Sequence, residues 1–449
     1  MASFDIAVGI KQSGLNSALV KLYNDPTAKT KIFNQTVTKD VSGITVTIGF
    51  DIKAAPVAEL YPPTDAKWQE SYGSDGKQKT GTPPSDNVFQ VLLSDVKVKG
   101  TIAGVDVVGE GELDVYAQFS LQNNVLNVTI LSVWLDESKW NKFGLTKAIV
   151  NAIIIPYALN TVNKLLNAIP FPEIPSKYIG TSFQNPIIDI TNKNEVVLAT
   201  SMKSSPATNL STYTPPSNDI YLQADLSLIN TVLDKKLSNY PLEAKDSTGD
   251  SAAKASAEIK GTLKSVTGKI SGDKTMAIID IIDISGYGEL SGTATTIAKT
   301  VLCPIGTAID AISDPKNWDK VISSFSIDYK PKPLDVPFSV KVTKTKSVEV
   351  SIGQLDSVQI IAAPNWSGVI GSTLAAVAAG FIDLLSAIFK GKIVNGIIKD
   401  LAQNIEVWQN ASVSKKIEGI TLTLSAKPGS ALTPFGTNFI VEGFTINFS

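Results

Sequence analysis

The chain has 449 residues, enough for two or three domains each with its own core. Charged residues make up only 18% of it and the formal net charge is -2, so no global field steers it toward nucleic acid. It has no His and no Arg, all 40 cationic side chains being Lys; this excludes Ser-His-Asp and Cys-His catalysis and His-containing zinc sites, and removes the fork that reads phosphates and guanine edges.

The opening segment alternates at period two through Ile6, Val8 and Ile10. It then changes to helical spacing at Leu15, Ala18, Leu19 and Leu22, with Ser13 as the expected N-cap. Strands follow: Ile44-Thr45-Val46-Thr47-Ile48, Val96-Lys97-Val98, Leu113-Asp114-Val115 and Val125 to Val133, with a turn at Asn123-Asn124. Residues 61–87, rich in Pro, Gly, Ser and Lys, predict a long exposed loop. From Leu145 to Ile169 the apolar residues recur at helical spacing, with Pro156 expected to kink or split the helix and Pro170, Pro172 and Pro175 to end it.

Strands are expected again at Pro186–Ile190 and Val196–Leu198, then a linker over 204–217. A strand and helix reach Leu237, a polar loop runs to about Ala253, and strands cover Ile259–Val266 and Met276–Ile284. Helical material is expected over 294–320 and a second long helix over 367–404. Closing strands are Ile420–Leu424 and Phe439–Phe448. Within the second long helix, 368–389 is long enough to span a bilayer. Its apolar residues Leu374, Val377, Phe381, Leu384 and Ile388 share one face, however, and Asp383 sits on the other. That pattern predicts an amphipathic helix packed on a sheet.

Asp5–Lys21 recurs without a gap 214 residues later, as Asp219–Lys235, with six of seventeen positions identical. A spacing so far above solenoid periods predicts a duplicated domain. The expected fold class is α+β: two domains, 1–212 and 213–449, each a strongly curled antiparallel sheet wrapped around a long helix. Segment 294–320 has no counterpart in the first half.

The lone Cys303 permits no internal disulfide, and its apolar neighbours predict a buried thiol. Asp280 and Asp283, three apart in an apolar strand, face opposite sides, a poor acid/base pair. No enzyme, metal or cofactor is expected. The N-terminus lacks the features of a secretory signal, which predicts a cytoplasmic protein or one released without a classical signal.

The order strand, helix, strands, long apolar helix, strands, opening on Asp5-Ile6…Ser13…Asn16…Leu19 and echoed at Asp219-Ile220…Ser227…Asn230…Leu233, resembles the tubular lipid-binding (TULIP) superfamily. Without leader or disulfide, it looks most similar to the members encoded in clostridial neurotoxin and insecticidal toxin clusters. The resemblance implies an apolar tubular cavity for acyl chains, and fatty acid or phospholipid as partner. A membrane surface and toxin-complex proteins are further expected partners, and the alternative function is a non-enzymatic toxin component. From the residues alone, a helix apolar nearly all round must be covered on most sides, either by core side chains or by a ligand. The candidate lining is Leu15, Leu19, Ile149, Ile153, Tyr157, Leu233, Val377, Phe381 and Leu384.

Overall fold

The computed structural model describes residues 3–292, 320–365 and 405–448, apart from the segments 123–124, 142–145, 171–176, 179–180, 193, 250–252, 272–273, 331–332, 343–347, 353–358, 409–411, 419, 428–431, 436–437 and 442–443. The expected second long helix with Val377, Phe381 and Leu384, Cys303, and nearly all of 294–320 lie outside the described residues. The chain forms two compact units. One comprises 1–225, 342–347 and 408–449, the other 226–341 and 348–407.

In the first unit β1 (Ile6–Lys11) passes directly into α1 (Gln12–Asn24). Lys11, not Ser13, holds the N-cap position; Ser13 Oγ is drawn instead to Asp219 Oδ1, 2.5 Å away. After α2 (Pro26–Ala28) and a π-turn at Lys29–Phe33 come β2 (Asn34–Val41), β3 (Ile44–Ile52) and β4 (Val57–Glu59). Next are α3 (Asp65–Glu70), β5 (Val88–Ile102), β6 (Val105–Gln122) and β7 (Val125–Leu135). The sheet order is β2-β3-β5-β6-β7, all antiparallel, with β4 on β5. Two hairpins close tightly because Ser42-Gly43 and Ala103-Gly104 have positive φ at both turn residues, the twist that antiparallel strands need.

The chain then forms α4 (Glu137–Asn141) and the long helix. That helix is built from α5 (Lys147–Ile149), a π-turn at Val150–Ile154 and α6 (Ile155–Ala168). Pro156 therefore produces a wide turn rather than a break. Its missing N–H cannot serve the carbonyl four residues back, that of Ala152, which accepts from Lys39 Nζ at 3.3 Å.

The helix touches β2 through Lys39, β3 through Tyr157 stacked on Phe50, and packs on β6 and β7. The sheet is strongly curled, and the helix lies along its inner face from the β2 edge to the β7 edge. The alternation in β3 marks the covered face: Val46, Ile48, Phe50 and Ile52 are buried, and Thr45, Thr47, Gly49 and Asp51 are not.

The stretch 61–87 is a correction. It carries α3, and Trp68 and Tyr72 are buried. Tyr72 exchanges both backbone hydrogen bonds with Val133 of β7, at 2.8 and 2.9 Å. Two aromatic rings outweigh the polar composition around them.

After the ribbon β8 (Lys177–Tyr178) and β9 (Thr181–Ser182) come β10 (Ile187–Thr191), β11 (Glu195–Thr200) and β12 (Ile220–Asp225). Here β1 lies between β11 and β12, antiparallel to both. In the β1–β12 register Val8 stands opposite Leu222, its own counterpart in the repeat. Segment 204–217 is pinned to this sheet by Leu210, packed on Ala7, Val197 and Ala199, and by Tyr213.

In the second unit α7 (Leu226–Leu237) precedes a large sheet of β13 (Tyr240–Gly249), β14 (Ala253–Ser271), β15 (Lys274–Gly292), β16 (Lys320–Lys330), β17 (Leu334–Val342), β18 (Val348–Ile352), β19 (Gln359–Asn365) and β20 (Ile405–Trp408), with β13-β14-β15-β17 and β15-β16-β19 paired antiparallel. The expected loop before Ala253 is thus mostly strand. Leu242 and Ala244 face the core at period two, a signal masked by the charged residues between and after them.

The last strands, β21 (Ser412–Ile417), β22 (Ile420–Ala426), β23 (Leu432–Phe435), β24 (Asn438–Val441) and β25 (Phe444–Phe448), belong to the first unit. The single strand expected over 439–448 is two: β24 pairs β12, and β25 pairs β22.

The repeated asparagines hold equivalent bonds. Asn16 Nδ2 donates to Ala58 O at 3.1 Å and its Oδ1 accepts from Ala58 N at 2.7 Å. Asn230 makes the same pair with Gly268, at 3.3 and 2.7 Å.

Candidate functional site

Ile149, Ile153 and Tyr157 recur every four residues, which places them on one stripe of the long helix. All three are buried against the curled sheet. Leu15 and Leu19 are buried on α1. The two helices meet through the π-turn at Lys29–Phe33, whose Phe33 is fully buried, edge-on to Tyr23 with ring centroids 5.2 Å apart. Leu233 is buried on α7, in the second unit.

At Tyr157 the interior is filled by side chains. The ring lies parallel to Phe50 with centroids 3.6 Å apart, and its hydroxyl donates to Phe33 O at 3.0 Å. Burial pushes the phenol pKa well above its ordinary value. Phe33 and Phe50 complete this layer and are absent from the sequence-based lining. The alternation Ile44, Val46, Ile48, Phe50 could have found the second of them.

Toward the N-terminal end of the helix the inner face of the sheet runs out into solvent without losing its apolar character. Along β3, Phe50, Ile48 and Val46 are buried, whereas Ile44 on the same face is 44% exposed. Register places Ile102 beside Val46, and Val105 beside Ile102. Val105 is 66% exposed. This aliphatic lip stands where Lys39 reaches the π-turn. On the far side of the helix Lys147 Nζ lies over the Tyr72 ring, 5.4 Å from its centroid. The Tyr72 hydroxyl donates to Glu137, and burial, followed by that bond, pushes it up to about 12.

The outer face of the sheet has a different character. Glu59, Gln90, Tyr116 and Ser132 form one row across four strands. Beside it Asp114 meets Lys67 Nζ at 2.5 Å, and burial raises the carboxyl pKa despite that ammonium. A groove of about 620 Å³ lies at the β5 bulge, lined by Ser94, Asp95, Lys97, Glu110, Gly111, Glu112 and Lys139. It is polar and offers no surface for an acyl chain.

No protein-family model matches the chain, and no curated protein matches it. Among solved structures it is similar to one described as the crystal structure of lipopolysaccharide binding protein. The identity is 11% and the TM-score 0.34, over 99% of this chain and 99% of that one.

Proposed function

We propose that the chain is a lipid-binding protein, not an enzyme, which holds an acyl chain between the long helix and the inner face of the curled sheet. The observation that carries this is the aliphatic lip. Ile44, Ile102 and Val105 continue a buried apolar face past the point where the protein covers it, the arrangement expected where an apolar ligand enters. The layer closed by Tyr157, Phe50 and Phe33 sets the inner limit of that space, and Ile149 and Ile153 line the part nearer the lip. An acyl chain contributes about 0.8 kcal/mol per buried CH₂, so no specific polar constellation is needed, and several lipid classes should bind.

The shared bonds of Asn16 and Asn230, and the meeting of Val8 with Leu222, support reading the two halves as copies of one ancestral domain.

Native mass spectrometry of the purified protein, with titration of a fluorescent fatty acid and a fluorescent phospholipid, tests the reading. Wild type should bind, and Ile153→Trp should bind at least about tenfold more weakly while keeping its circular dichroism. If the probes bind neither protein, or bind both equally, the interior is ordinary core and the reading fails.

A further inference from the structure

The turn end of the curled sheet bears more apolar surface than a cavity mouth requires. The β2–β3 and β5–β6 hairpins end side by side, because Val46 of β3 pairs with Ile102 of β5. Their turns, Ser42-Gly43 and Ala103-Gly104, are exposed. Register sets Ile44, Ile102 and Val105 on the inner face with Val46. Val108 stands opposite Lys99, and Lys99 opposite Gly49, on the outer face. There Val108 is 60% exposed, so the tip is apolar on both faces. A flat protein surface would cover one of these faces, whereas a medium that surrounds the tip covers both.

The ionic groups nearest the tip balance: Lys39 and Asp40 on one hairpin, Lys99 and Asp106 on the other. Three of them turn back onto the protein. Lys39 Nζ donates to Ala152 O, Asp40 Oδ1 accepts from Gly43 N at 2.8 Å, and Asp106 Oδ1 accepts from Thr101 Oγ1 at 3.5 Å. No excess of either sign is left to recruit a charged partner. From the fully buried Val46 to the turn is about 10 Å of strand. That matches the depth, about 5–10 Å, to which apolar faces enter the boundary between head groups and acyl chains.

We propose that these two hairpin ends dock the protein on a lipid bilayer by apolar insertion, without selecting for lipid charge. The inference rests on the acyl-chain reading in one respect, that tip and mouth coincide: an acyl chain is nearly insoluble in water and must arrive from an aggregate of lipid. Docking sets Ile44, Ile102 and Val105 against that source. Because few side chains insert, docking is weak and reversible.

Flotation of the full-length protein with phosphatidylcholine vesicles tests the docking, and titration of a soluble fluorescent fatty acid is run beside it. Wild type should float with the vesicles, and raising the salt to about 0.5 M should leave its partition within about twofold. Val108→Asp, on the outer face, and Ala103→Asp, at a turn position whose positive φ suits Asp, should each partition at least about tenfold more weakly. Both should take up the soluble fatty acid as wild type does. Ile153→Trp should show the reverse, floating normally and losing the fatty acid. Failure of wild type to float, loss of flotation in salt, or undiminished flotation of either Asp variant overturns the docking. Flotation that depends on Val108 and Ala103 with no fatty-acid uptake supports the docking and sinks the acyl-chain reading alone.

Discussion

Burying Glu195 has a consequence for stability, whose sign follows from the direction of its shift. Its folded pKa, about 7, lies above the unfolded value of 4.5. The folded state therefore binds the proton more tightly, and its contribution to stability is complete below the unfolded value. The contribution declines as pH rises from there through the folded value, and about 3 kcal/mol is lost in all. Urea unfolding of the first unit's transition should show wild type weakening from pH 5 to pH 8 and Glu195→Gln weakening much less; parallel pH slopes would show that Glu195 does not set the dependence. Gly9 is the steric counterpart. Gly9→Ala has no room beside the Tyr221 ring, which Tyr213 holds in place, and should cost about 2–3 kcal/mol by overpacking in a urea melt.

Among the elements, the opening helix of each copy is tied to a strand by one asparagine that serves both a backbone N–H and a C=O. Asn16→Ala leaves Ala58 with both groups unserved in a half-buried site, and Asn230→Ala does the same to Gly268. Each should cost about 2 kcal/mol. The two substitutions share no partner, so the losses in the double variant should sum in chemical denaturation. The long helix depends on a different device. Lys39→Met removes the donor to Ala152 O beside Pro156, and should cost about 1 kcal/mol in the same measurement. The lip residues Ile44 and Val105 are outside the packed core, so their replacement by Ser should change lipid uptake more than stability.

For the molecule as a whole, the C-terminal strands complete the first unit. Leu424 of β22 packs on Ala18 of α1, with Ile220 and Phe444 against them. On β21's side, Glu418 pairs with Lys164 of the long helix at 2.7 Å and its carbonyl accepts from Lys31 at 2.8 Å. A chain ending at residue 407 should therefore expose apolar surface on its N-terminal portion. Binding of a solvatochromic dye should rise well above that of the full chain, and an unchanged dye signal would count against this packing.

How much of this was legible beforehand divides along local and distant interactions. Period-two alternation placed β1, β3 and β22, the repeat placed β12 and α7, and helical spacing placed α1 and the helix through Ile149, Ile153 and Tyr157, because burial of one face imposes these periods on the chain itself. Asn16 and Asn230 were marked by the repeat, which carries identity wherever a side chain does the same work twice. Composition excluded histidine chemistry outright. Other features depended on partners remote in sequence. Trp68 and Tyr72 are buried because β7 lies under them, and the largely polar residues 240–249 form a strand because β14 offers a ladder edge. Phe439–Phe448 divides because its two parts find different sheets. The buried polar side chains of Glu195, Tyr213, Tyr221 and Gln223 come from two strands and a connecting segment, each an unremarkable polar residue by itself. Only the tertiary structure withdraws them from water together, and that shared desolvation is what raises the Glu195 pKa.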